Sequence, residues 1–158
     1  MKSPQIIDHA FLDSLSAQAK TAPRKRKNFN FHATETDPAH RLLNAIEPNT
    51  YIAPHRHLDP NKAESMVIVR GKLGAVFFDE RGHVTGTAVL VAGGLVVAIN
   101  IPVGTFHSLV ALAADTVFFE AKAGPYAPLT LEERAPWAPQ EGEPGVAEYL
   151  ARLTAHFI

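Results

Sequence analysis

The chain has 158 residues, 46% of them hydrophobic and 20% charged, with fifteen basic residues against sixteen acidic ones. That length and balance fit one domain (1–158) with a sizeable core, argue against a disordered chain or a dedicated nucleic-acid binder, and, with no cysteine, exclude disulfides, thiolate nucleophiles and Cys-ligated metals. The longest apolar run, Ala88 to Ile99, falls short of the roughly 20 residues a membrane span needs, and "MKSPQIIDHA" has no apolar run behind its lysine, so a cytoplasmic location with no membrane partner is expected.

Residues 1–23 read as an N-terminal helical segment. Asp8 suits the N-cap, Ile7 and Leu12 suit a hydrophobic staple, and Phe11, Leu12 and Leu15 recur at helical spacing until Pro23 stops the helix. "PRKRK" then reads as a solvated connector, with an anion-binding role for Arg24 or Arg26 as the less favoured alternative. From 28 to 122 the pattern is β. "NFNFH" alternates Asn28, Asn30 and His32 with Phe29 and Phe31. That polar face either meets a substrate or belongs to an edge strand in water, and the two readings weigh the same.

Further strands are expected over 41–46, 50–57, 64–70, 72–79, 84–91, 95–101, 105–111 and 116–122, each bounded by Gly, Pro or Asp. Short strands at near-regular spacing indicate a sandwich or barrel. The Pro-rich tail from 123 wraps irregularly around it, anchored by Trp137 in an apolar groove. Val146, Tyr149, Leu150, Leu153 and Phe157 then give a short amphipathic C-terminal helix. Strands 64–70 and 72–79 are apolar on both faces, so a helix, the tail or a second subunit has to cover the outside; a homodimer is expected on that ground.

Eight histidines in the chain make a chance His-x-His arise about 0.4 times, so the pair His55 and His57 proves little alone. Its position at the end of a strand pattern puts both imidazoles on one face, where they can share a cation, with Tyr51 on the same parity. An antiparallel return brings Glu64 beside them as an oxygen ligand. Asp59 is the competing carboxylate, but next to Pro60 it suits a turn. A third imidazole, His107, ends "PVGTFH", a Pro-x-Gly-x-x-His pattern that chance supplies only about 0.04 times.

"NTYIAPHRHLDPNKAESMVIVRG" (49–71) resembles the first cupin motif and "GLVVAINIPVGTFH" (94–107) the second. The resemblance implies a cupin double-stranded β-helix, a jelly-roll barrel, with His55, His57, Glu64 and His107 on the metal-ligand positions. Asn49 replaces the usual leading glycine, six residues separate His57 from Glu64, and Ala111 stands where the second motif commonly has Asn. "RKNFNFH" (26–32), "HRLLNAIEP" (40–48), "PHRHLDPNK" (54–62), "FEAKAGPY" (119–126) and "APWAPQEG" (135–142) together resemble the WbuC-type cupin-fold metalloproteins. That family is associated with bacterial surface-polysaccharide gene clusters.

Three imidazoles and a carboxylate suit Fe, Mn, Ni, Cu or Zn without choosing among them, and leave open positions for chemistry. Candidate substrate-facing residues are Asn28, Asn30, His32, Tyr51, Lys62, Glu120, Lys122 and Tyr126; an ion pair is the alternative for Glu120 and Lys122. Such groups fit a small hydroxyl- or carboxylate-bearing ligand. The leading expectation is a metal-dependent isomerase, epimerase or dioxygenase acting on a sugar derivative or small acid. The competing readings are a non-catalytic ligand-binding or sensing cupin, a metal-free sugar epimerase, and a structural interaction module.

Overall fold

Asp8 caps the first helix as its sequence position predicts: its Oδ1 accepts from the Phe11 amide at 2.9 Å. In the computed structural model, which describes residues 3–158, this helix α1 runs His9–Thr21. It stops at Ala22, which Pro23 forces into the extended region. Eight strands follow among the described residues: β1 (Arg26–Asn30), β2 (Ala39–Ile46), β3 (Glu64–Arg70), β4 (Lys72–Phe78), β5 (Val84–Val91), β6 (Ala98–Ile101), β7 (Phe106–Ala111) and β8 (Thr116–Ala123). Helix α2 (Val146–Ala155) closes the chain. No described helix is long and apolar enough to cross a membrane.

The strands form two antiparallel sheets, one ordered β1-β2-β8-β3-β6 and the other β5-β4-β7. This is the mainly β class with two short helices that the sequence predicts. Between the sheets lies a core of Ile46, Met66, Ile68, Leu73, Leu90, Ile101, Leu109 and Phe118. Outside the larger sheet, α1 seats Leu12, Leu15 and Ala19 on Leu43, Ala45 and Val117. Outside the smaller sheet, α2 and the tail bring Leu150, Leu153, Ala135 and Ala138 against Val76, Phe78 and Val110. Trp137 packs there on Phe78, with ring centroids 4.9 Å apart. The double apolar face of β4 is therefore covered from within the chain. Gly74 marks how closely: a side-chain carbon there would stand 2.7 Å from the Phe157 ring. The outer face of β3 is different, since Val67 and Val69 stay exposed.

Two expected strands are corrected. Residues 50–57 make no strand and only isolated bridges, at His55. Pro54 has no amide hydrogen, and the remaining groups divide between distant partners. The amides of His55 and His107 each donate to the other's carbonyl, at 3.0 and 2.9 Å, while the Arg56 amide donates to the Glu133 carbonyl at 2.9 Å. The segment is clamped between the start of β7 and the tail. The strand expected over 95–101 shrinks to Ala98–Ile101, and Leu95 stands fully in water.

Candidate metal site

The clamp places the four proposed ligands. Glu64 opens β3 in one sheet, and His107 is the second residue of β7 in the other. His55 and His107 face each other as a hydrogen-bonded antiparallel pair, which sets their rings side by side with centroids 4.6 Å apart. The turn before β7 fixes the register. Gly104, at φ +83°, adopts a conformation that favours glycine, and its amide donates to the His57 carbonyl at 2.8 Å. The Pro-x-Gly pattern thus ties the His107 strand to the His-x-His segment.

Ligand atoms of His55, His57 and Glu64 all lie within 4.8 Å of one another. His57 Nε2 stands 3.1 Å from Glu64 Oε1, and His107 Nε2 stands 3.0 Å from Glu64 Oε2. The other ring nitrogens fix the tautomers. His55 Nδ1 lies 3.0 Å from the Ala53 carbonyl and His107 Nδ1 2.9 Å from the Thr105 carbonyl; a carbonyl only accepts, so each Nδ1 carries the proton. Both Nε2 atoms then present lone pairs.

For His107 that lone pair faces the Glu64 carboxylate, both groups being buried. Their separation suits an ion pair, but the alignment makes no hydrogen bond, and both atoms are left without a partner. Two acceptors held this close repel unless a proton or a cation stands between them. The donor set fits a divalent metal on this observation.

The electrostatics point the same way. Burial pushes the His55 imidazole down to about 3, aided by His107, so it is neutral and free to ligate. Burial alone would raise the Glu64 carboxyl. The close imidazoles of His107 and His57, with the Lys122 charge, outweigh it and hold the group well below the usual carboxylate range. Lys122 Nζ reaches Glu64 Oε1 at 3.0 Å and Glu120 Oε1 at 2.9 Å. Burial would lower the Lys122 pKa, but the charges of Glu120 and Glu64 raise it, so the ammonium persists. Asn44 completes the chain by donating to Glu120 Oε2 at 2.7 Å.

A cavity of about 230 Å³ opens beside the imidazoles, lined by His40, His55, His57, Lys62, Lys122 and Tyr126 among others. Lys62, Lys122 and Tyr126 therefore line one cavity with two of the imidazoles. Glu120 lies one layer behind, bound to Lys122 and Asn44, which is the ion-pair alternative. His32 is buried and stacks on His40 with centroids 4.0 Å apart, so His40, not His32, meets the cavity. Tyr51 points away; its hydroxyl donates to the Pro139 carbonyl at 2.7 Å within the cluster under α2. Asn28 and Asn30 bond each other in water on the edge strand β1, the solvent-facing alternative. Asp59 is a turn residue whose Oδ1 accepts from the Asn61 amide.

Three supporting residues escaped sequence reasoning. Asn44 had a signal, a polar side chain inside an apolar strand. Glu133 accepts from the Leu58 amide at 2.9 Å and so anchors the segment just past His57. Arg134 bridges His55 through the backbone. Neither of the last two carries a local sequence signal.

The family described as a domain of unknown function (DUF6016) matches residues 7–90. No curated protein matches the sequence. Among solved structures, a conserved protein of unknown function from Streptococcus pyogenes superposes with a TM-score of 0.53 at 11% identity, covering 80% of this chain and 93% of that one. KdgF from Halomonas sp. gives 0.51 at 17% identity, covering 68% and 85%. A cupin superfamily protein from Desulfitobacterium hafniense gives 0.51 at 10% identity, covering 69% and 86%. These likenesses show the fold, a cupin β-sandwich.

Proposed function

From the premise that this chain belongs to the DUF6016 family and folds as a cupin, we propose a metal-dependent enzyme acting on a sugar derivative or a small hydroxy or carboxylic acid. The carrying observation is the pair His107 Nε2 and Glu64 Oε2, buried 3.0 Å apart with no proton donor between them. His55, His57, Glu64 and His107 would hold one divalent ion. When bound, that ion supplies Lewis acidity to a substrate oxygen or to water.

The chain's own residues do the remaining work. Nδ1–H groups bound to backbone carbonyls fix the orientation of His55 and His107. Lys122 steadies the Glu64 and Glu120 carboxylates with two ammonium hydrogens and lines the cavity, where the third can donate to a ligand oxygen. Lys62 and Tyr126 flank the mouth and offer donors to hydroxyl groups.

The stretches resembling WbuC-type proteins support a place in surface-polysaccharide metabolism. The exposed Val67 and Val69 on β3, beside the edge strand β6, support a homodimer. Sedimentation equilibrium checks that part: Val67→Lys should shift the protein toward monomer, and a monomeric wild type would remove it.

Metal analysis is the primary test. The purified protein is expected to carry close to one equivalent of a first-row metal, lost in His107→Ala and Glu64→Gln. No metal in the wild type, or full retention in both variants, would sink the site. Metal-loaded protein incubated with nucleotide sugars and small organic acids should then turn one class over. Tight binding without conversion would replace the enzyme by a binding protein.

A further inference from the structure

A second depression, about 400 Å³, adjoins the metal cavity; His55, Tyr126 and Leu129 line both. Its walls carry three guanidinium groups, Arg24, Arg26 and Arg134, and one carboxylate, Glu141. Arg24 holds Glu141 through Nε and Nη2 at 2.6 and 2.5 Å. Arg26 shares the same carboxylate at 2.9 Å and donates its other amino group to the Tyr51 carbonyl at 2.7 Å. Among the described residues these are the ion pairs of this wall, which leaves Arg134 unpaired. Three positive charges against one negative leave the groove at +2.

A basic surface is ordinarily spread in water, where like charges separate. Here the cluster is not free to spread. Arg26 is only 20% exposed and sits against Arg24 through their common carboxylate. Arg134 is held by its backbone bridge to His55, and residues paired across such a bridge project to the same side. Its guanidinium therefore lines the groove next to a proposed metal ligand. The basic groove and the metal cavity meet at that imidazole, so one small molecule can occupy both.

We propose that this groove binds the terminal phosphate of a phosphorylated sugar or polyol whose hydroxyl end enters the cavity at His55 and His57. A phosphomonoester carries about −1.5 to −2 near neutral pH and so balances the groove, whereas a carboxylate would leave it net positive. Planar guanidiniums bind phosphate oxygens in paired, geometrically fixed hydrogen bonds. The hydroxyl end of this inference rests on the proposed metal-dependent function; the phosphate end does not.

The experiment is calorimetry with inorganic phosphate and with glucose 6-phosphate, on the full chain, both chelator-treated and metal-loaded. Phosphate should bind the chelator-treated protein, and Arg134→Gln and Arg24→Gln should each weaken it about tenfold or more, the loss expected for a charged hydrogen bond. Arg134 is exposed, so its variant should keep the wild-type melting temperature and metal content. Glucose 6-phosphate should bind metal-loaded protein more tightly than phosphate does. No phosphate binding, or binding unchanged in both variants, would overturn the groove. Glucose 6-phosphate binding no tighter than phosphate to metal-loaded protein would overturn the spanning ligand. A chain that holds no metal yet loses phosphate binding in Arg134→Gln would keep the groove and overturn only the metal reading.

Discussion

Asn44 is a polar side chain inside the otherwise apolar run 42–46 of β2, and Glu120 is the reason. Its amide satisfies one carboxylate oxygen while Lys122 satisfies the other. Asn44→Leu removes the donor and leaves a buried acceptor unpaired, which should cost about 1–3 kcal/mol in urea unfolding with the slope unchanged. Glu133 gives a pH test. Hydrogen bonds from the Thr130 and Leu58 amides outweigh burial and lower its carboxyl pKa on folding. Such a group contributes stability above its unfolded pKa and loses it as pH falls through the folded value. Glu133→Gln should therefore melt below wild type at pH 7, and the gap should close toward pH 3. A gap that widened on acidification would contradict this sign. At this scale the sequence singles out His55, His57 and His107 because each sits in a short local pattern, His-x-His or Pro-x-Gly-x-x-His. The contact of Lys122 with Glu64 was not legible there, since it depends on Ser65 lying opposite Ala121 across two distant strands.

The strands that appear where expected share one property, apolar side chains that alternate or run unbroken inside a sheet. The misses lack it. Residues 50–57 have strand-like composition, but their backbone partners lie some 50 and 80 residues away in β7 and the tail, beyond any local signal. Leu95, Val96 and Val97 are apolar yet exposed, so composition overstated β6. Helix α2 was legible because Leu150 and Leu153 recur at helical spacing, and both are buried against the smaller sheet. Leu153→Ala should cost about 2–5 kcal/mol through lost burial and the cavity left behind. Asp8→Ala, which removes only the α1 cap, should cost about 1 kcal/mol. Urea titration of the two variants should rank them in that order; equal losses would mean that α2 is not seated as described.

The proposed ligands also join the whole molecule. Glu64 belongs to the larger sheet, His107 to the smaller one, and His55 and His57 to the segment clamped between β7 and the tail. A cation shared by all four would tie the sheets together at one end of the sandwich, and unfolding would scatter its ligands. Binding to the folded state alone stabilises it by about 2.7 kcal/mol when free metal is a hundredfold above the dissociation constant. For a chain of this length that corresponds to roughly 5–10 °C in melting temperature. Chelator should lower the wild-type melting temperature by that order, and restored metal should return it. In His107→Ala the same treatment should leave the melting temperature where it was, because the bridging ligand of the smaller sheet is gone. An equal chelator shift in both proteins would place the stabilising metal elsewhere on the chain.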